Sequence, residues 1–166
     1  GIRWNAGSNG LYYRYADKGT EKIAFTRLTG SSHTLAIDLG GEAVARPYGG
    51  GSFSVSNNGR IAYSRSSPYA PAEIGIVRGR GKPRTITSLN ANLLDGIELG
   101  VVEEVNYVAT TDGLPIQGWL VKPPGYEADK PYPLLVENHG GPIAFYGPHF
   151  SPEIQLYAAA GYLVFY

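Results

Sequence analysis

Leu134-Leu135-Val136-Glu137-Asn138-His139-Gly140-Gly141-Pro142 is a short apolar run that breaks into a glycine-proline loop. The apolar part reads as a strand, because three branched aliphatics in a row suit a sheet buried on both faces. A helix with legible ends follows. Ser151 is a good N-cap, Pro152 suits the first helical position, Glu153 complements the positive end of the dipole, and Gly161 stops the helix. Ile154, Tyr157 and Ala158 fall on one face at helical spacing. Tyr162-Leu163-Val164-Phe165-Tyr166 then reads as a second buried strand. Strand, loop, helix, strand is a βαβ unit, and a parallel sheet normally continues on both sides of one. With a core strand as its last five residues, the chain reads as truncated.

Working backwards, Val101 to Val108 reads as a strand, Asp112-Gly113 as a hairpin turn, and Ile116 to Val121 as the returning strand. A polar, proline-rich loop from Pro123 to Pro133 leads into the apolar run. Before Leu99 the pattern is different. Trp4-Asn5-Ala6-Gly7-Ser8-Asn9-Gly10-Leu11-Tyr12-Tyr13 aligns, at an offset of 49, with Phe53-Ser54-Val55-Ser56-Asn57-Asn58-Gly59-Arg60-Ile61-Ala62. Each copy runs from an aromatic through an Asn-Gly turn into a β-rich strand. Arg27 to Gly30 matches Ile76 to Gly79, and the last part of each unit, Thr34 to Asp38 and Pro83 to Thr87, is again extended.

Each unit thus holds four short strands, and a period of ~40–50 residues with four strands is the pattern of β-propeller blades. One blade cannot bury both of its faces, so it stacks on neighbours around a ring of at least ~4. With two copies visible, either the ring uses more chain or the units form a plain β-meander. The expectation is a mixed fold: residues 1–99 as the last two blades of a partial propeller, and 100–166 as the start of an α/β domain.

Composition narrows the chemistry. Fourteen basic and 14 acidic residues cancel, which gives no basic excess for a nucleic-acid or anionic-membrane partner. Cysteine is absent, which removes disulfides and thiolate metal sites. No apolar run approaches the ~20 residues of a membrane-spanning helix. Methionine is absent even at position 1, so the chain reads as processed, cloned without its start, or cut from something longer, and compartment (cytoplasmic or periplasmic) stays open.

The chemistry-bearing motif is His139-Gly140-Gly141-Pro142. Two glycines directly after a strand let the backbone turn sharply and bring its N–H groups close to a substrate. In α/β-hydrolases a loop of this kind, after the third strand, supplies one N–H of the oxyanion hole. On these four residues alone, a plain Gly-Gly turn with a histidine packed beneath it is the alternative; the hairpin, strand and capped helix around them favour the oxyanion loop.

With those stretches in place, the chain resembles the prolyl oligopeptidase family of serine peptidases, in its acylaminoacyl-peptidase and dipeptidyl-peptidase-like branch. The resemblance rests on Thr111-Asp112-Gly113, Ile116 to Leu120, Lys130 to Leu134, His139 to Pro142 and Ala159 to Tyr162. Ser52 to Leu89, with Ser67-Pro68 and Pro71-Ala72-Glu73, resembles that family's final blade. The family places a propeller over an α/β-hydrolase with a Ser–Asp–His triad. The resemblance therefore implies acyl transfer near the N-terminus of short peptide substrates, without a cofactor, and leaves homo-oligomerisation of the parent open. It makes the Gly141 N–H an oxyanion donor, gives Gly140 the shaping of the loop, and gives His139 a supporting role. His139 stands where prolyl oligopeptidases proper carry a tyrosine donor, which favours the acylaminoacyl branch.

The triad of such enzymes runs Ser, Asp, His downstream of the oxyanion loop, and no Gly-x-Ser-x-Gly occurs in the chain. Ala6-Gly7-Ser8-Asn9-Gly10 imitates it but lies upstream and falls in a repeated inter-strand turn. The segment alone is therefore expected to be inactive, and its open blades and unpaired last strand make it aggregation-prone. His33 reads as a solvated turn residue, and His139 with His149 lacks a third metal ligand. Glu103-Glu104, adjacent on a strand, point apart. Arg78, Arg80, Lys82 and Arg84 read as a solvated turn. Two other functions remain open: a non-catalytic propeller that binds a partner, and a carboxylesterase, because the His-Gly-Gly loop also resembles lipase motifs.

Overall fold

The computed structural model describes residues 1–166. Strand accounts for 44% of the chain and helix for 7%, and neither of its two sheets closes into a barrel. The first half is two antiparallel units in tandem. The first unit consists of β1 (Ile2–Trp4), β2 (Gly10–Asp17), β3 (Thr20–Arg27) and β4 (Ser32–Leu39). The second is β5 (Phe53–Val55), β6 (Arg60–Ser67), β7 (Ala70–Arg78) and β8 (Arg84–Thr85). Each unit has four strands in chain order, which is how the repeat reads in the sequence.

The repeated turns have a repeated cause. Asn5 Oδ1 accepts the N–H groups of Asn9 and Gly10 at 3.0 and 3.1 Å, closing the turn into β2. Ser56 Oγ accepts the Arg60 N–H at 3.0 Å and does the same for β6, with Gly59 at φ 74°. Lys18 and Gly19, both at positive φ, make the two-residue turn of the β2–β3 hairpin, the geometry that matches strand twist. A single residue pair, Leu39 with Arg65, joins the units into one eight-stranded sheet. Both contribute to one core of Ile23, Leu35, Ala36, Leu39, Ile61, Tyr63 and Val77. His33 lies within β4, its ring 5.7 Å from that of Phe25, rather than in a turn: the turn is closed earlier, where Arg27 donates to Ser31.

The second sheet has the order β11-β12-β10-β9. β9 (Val101–Val108) and β10 (Pro115–Lys122) form a hairpin over a six-residue connection, closed by the Ala109 N–H on the Leu114 carbonyl at 2.8 Å. Glu103 and Glu104 have separate partners, Lys122 for the first and Asn106 with Gln117 for the second, as side chains on opposite faces do. β11 (Leu134–Val136) and β12 (Leu163–Phe165) are parallel, and α2 (Pro152–Ala159) crosses between them. Ser151 caps α2 by accepting the Ile154 N–H at 3.2 Å, and Gly161 at φ 91° ends it. The buried helix face is Ile154, Gln155 and Ala158; Tyr157 turns outward and donates its hydroxyl to Glu153. Gln155 can be buried because it pairs with the backbone of Gly100 through both ends of its amide. A single-turn helix, α1 (Ala91–Leu94), sits between the two sheets in sequence. The second core consists of Trp119, Val121, Tyr146, Ile154, Ala158, Val164 and Tyr166.

The two halves are tightly apposed. Trp119 lies so close over the β2–β3 turn that a Cβ on Gly19 would fall 2.1 Å from its ring. The segment Pro47–Gly49 runs along residues 145–147, with the Gly49 N–H on the Phe145 carbonyl at 3.0 Å and the Gly147 N–H on the Pro47 carbonyl at 2.9 Å.

Candidate active site

The loop from Asn138 to Ala144 leaves the end of β11 and returns at Phe145. Its entry is fixed by the Glu137 N–H, which donates to Phe165 at 2.8 Å and extends the parallel pairing one residue past β11. Within the loop, His139, Gly140 and Gly141 are all exposed. A Cβ built on Gly140 or Gly141 would meet nothing within 4 Å, so both glycines border open space. The Gly141 N–H donates to no protein acceptor, which leaves a backbone donor free at the surface. His139 Nδ1 lies 2.8 Å from the Gly140 carbonyl, a contact in which the ring nitrogen is the donor. The imidazole packs against Tyr146 and Tyr48, with centroids at 4.9 and 6.4 Å.

Around the base of the loop lies a cluster of charged and phenolic groups that sequence reading does not single out. Arg46 bonds the Glu137 carboxylate, reaches Glu153 in the first turn of α2 at 3.2 Å, and donates to the Tyr146 hydroxyl at 3.4 Å. Tyr146 in turn donates to Glu137 at 3.2 Å. Tyr146 is nearly buried, and burial above all pushes its hydroxyl up to about 12. The Tyr146 contact, followed by the Glu137 and Glu153 carboxylates, raises Arg46 above its ordinary value. Arg46 and Glu137 are 91 residues apart, and Arg46 precedes a Pro-Tyr-Gly-Gly-Gly stretch that reads only as a loop. No local pattern marks the pair.

His149 is the third feature at this junction. It is 6% exposed, and neither ring nitrogen has a hydrogen-bond partner. A Cβ on Gly40 would lie 2.5 Å from its Nδ1, so the ring is wedged under the end of β4. Burial pulls its pKa below the ordinary histidine value. Ser8, the centre of the imitation serine motif, sits in the β1–β2 turn at φ 50°.

Comparison with known proteins adds a second, independent line of observation. No family model matches the chain. Over 164 residues it is 29% identical to the uncharacterized peptidase YuxL of Bacillus subtilis, covering 98% of this chain and 24% of that protein. It is 28% identical to dipeptidyl-peptidase 5 of Porphyromonas gingivalis over 166 residues, covering 98% of this chain and 23% of that one. Among solved structures, the acylaminoacyl peptidase of Pyrococcus horikoshii superposes with a TM-score of 0.73 at 22% identity, over 95% of this chain and 23% of that chain. These relatives are peptidases, and the likenesses are consistent with the prolyl oligopeptidase family that the sequence resembles. The chain spans about a quarter of the length of the curated relatives it matches.

Proposed function

We propose that the chain is a segment of a serine-type peptidase that cleaves short peptides near their N-terminus. In this reading residues 1–99 are the last two blades of a propeller, and 100–166 open an α/β-hydrolase domain. The observation that carries it is the free, exposed N–H of Gly141 on a loop that β11 delivers beside the start of a capped helix.

The chemistry follows from that donor. A serine hydroxyl contributed from outside residues 1–166 adds to the scissile carbonyl carbon while a histidine takes its proton. The carbonyl π pair moves to oxygen, and the Gly141 N–H bonds the oxyanion that forms. Collapse of the tetrahedral species expels the amine, which leaves with the proton from the histidine, and water then hydrolyses the serine ester. A donor aimed at such an oxyanion contributes roughly 2.7–4 kcal/mol, and no cofactor is required. His139, held by the Gly140 carbonyl and by Tyr146, supports the loop rather than reacting. Residues 1–166 alone hold no nucleophile for this chemistry and are inactive in this account.

A carboxylesterase would use the same donor on an ester. Turnover of acylaminoacyl or dipeptidyl anilides against alkyl esters by the longer protein separates the two. Preference for the anilides supports the peptidase reading, and turnover of esters alone rejects it.

A further inference from the structure

The loop that carries Gly141 is not held by its own backbone. From Asn138 to Ala144 no backbone N–H or C=O pairs with the rest of the chain, and the internal contact of the His139 ring with Gly140 spans one residue. A segment of this kind keeps a single conformation only if its two ends are fixed. The backbone fixes each end separately, Glu137 to Phe165 on one side and Phe145 to Gly49 on the other.

Side chains join the two ends, Tyr146 directly by donating to Glu137 and Arg46 by bonding both. Arg46 bonds the carboxylate of Glu137, the last residue before the loop, and the hydroxyl of Tyr146, just past its far end. Its Nε reaches Glu153 on α2 at 3.2 Å, which ties the pair to the helix. Tyr146 closes the ring by donating to Glu137 and packs directly on the His139 imidazole. A planar guanidinium has donors enough, in a fixed fork, to serve three acceptors at once; an ammonium does not hold that geometry. Arg46 itself belongs to the connection between the two β-units, not to the sheet that bears the loop.

We infer that Arg46 is the positioning residue of the 138–144 loop, a clamp supplied by the β-repeat half that sets where the Gly140 and Gly141 amides point. Its catalytic weight rests on the reading of Gly141 as an oxyanion donor, but the clamp itself is a statement about loop order. The β-repeat half and the half that bears the loop would then be coupled through this guanidinium as well as through the backbone contacts of Pro47 to Gly49.

The test is amide relaxation on the 15N-labelled 166-residue chain, which uses no turnover. In the parent chain the Gly140 and Gly141 amides are expected to have order parameters near those of rigid backbone, ~0.85. In Arg46→Met they fall to below ~0.6, while Ile61 and Val77 in the other core keep their values. Glu137→Leu combined with Tyr146→Phe removes the same clamp from the loop side and gives the same loss; it carries the test if Arg46→Met does not fold. Loop amides that stay ordered in either folded variant, or that are already mobile in the parent chain, overturn the inference. Failure of the oxyanion reading would appear in the turnover of the longer protein and would leave these relaxation values untouched.

Discussion

Tyr48 and Tyr146 face each other across the junction of the two halves as an isolated antiparallel bridge, their rings 4.6 Å apart at 66°. An edge-on aromatic pair of this kind contributes roughly 0.5–1.5 kcal/mol beyond the area it buries. Tyr48 belongs to the link between the repeated units, and Tyr146 to the return of the candidate oxyanion loop. The bridge therefore connects the β-repeat half with the loop proposed to carry the chemistry.

The junction leaves no room for added atoms. A Cβ on Gly147 would lie 1.9 Å from the Gly19 carbonyl oxygen, so Gly147→Ala has to push the β2–β3 hairpin away. Backbone displaced by one methyl costs about 1–3 kcal/mol. The urea midpoint of Gly147→Ala is expected to fall accordingly, while Gly113→Ala, where a Cβ meets open space, loses only the strain of its positive φ.

Ser151 acts in both halves. It accepts the Ile154 N–H as helix cap and donates to the Ala45 carbonyl at 2.6 Å. Losing a cap alone costs about 0.5–2 kcal/mol, so Ser151→Ala is expected within that range, toward its upper part because the Ala45 carbonyl loses its donor too. Ser151→Asp keeps the cap but cannot donate to Ala45 when ionised. Chemical denaturation of both variants separates the two contributions; a Ser151→Asp variant as stable as the parent chain would deny the Ala45 contact any role.

Acid should loosen the same junction through His149. The folded imidazole is neutral with a depressed pKa, whereas the unfolded one titrates at about 6.5. Below that pH the unfolded chain binds the extra proton. Stability is thus full above about pH 6.5 and declines as pH falls toward the folded pKa. Urea midpoints at pH 7.5 and 5.5 are expected to differ in the parent chain, and to differ less in His149→Phe. The variant comparison matters because Glu21, whose pKa burial raises, gives a slope of the opposite sign lower in the range. An unchanged pH dependence in His149→Phe contradicts the assignment.

Local grammar made the elements legible. The Asn-Gly turns, the Ser-Pro-Glu helix start and the Asp-Gly connection each act within a few residues, and the structure has strands and helix where they stand. The repeat at 49 residues could be read for the same reason, since each unit closes its own turns. What sequence could not show is what crosses the junction. Arg46 finds Glu137 over 91 residues, and Ser151 finds Ala45 over 106. Gln155 replaced Tyr157 on the buried helix face because Gly100, far away in sequence, offers it two backbone partners. The His-Gly-Gly-Pro loop was found as a motif; the residues that hold its ends lie outside any motif.

The proposal that this chain carries the oxyanion loop of a serine peptidase is tested most directly by fluorophosphonate labelling. The reagent is applied to the isolated 166 residues and to the longer protein that contains them, and the adducts are mapped by mass spectrometry. The account predicts no adduct on residues 1–166 and one stoichiometric adduct on a serine downstream of Tyr166, formed about 10²–10³-fold more slowly when Gly141→Pro removes the N–H. An adduct on a serine within residues 1–166, or a longer protein that takes no label at all, would contradict it.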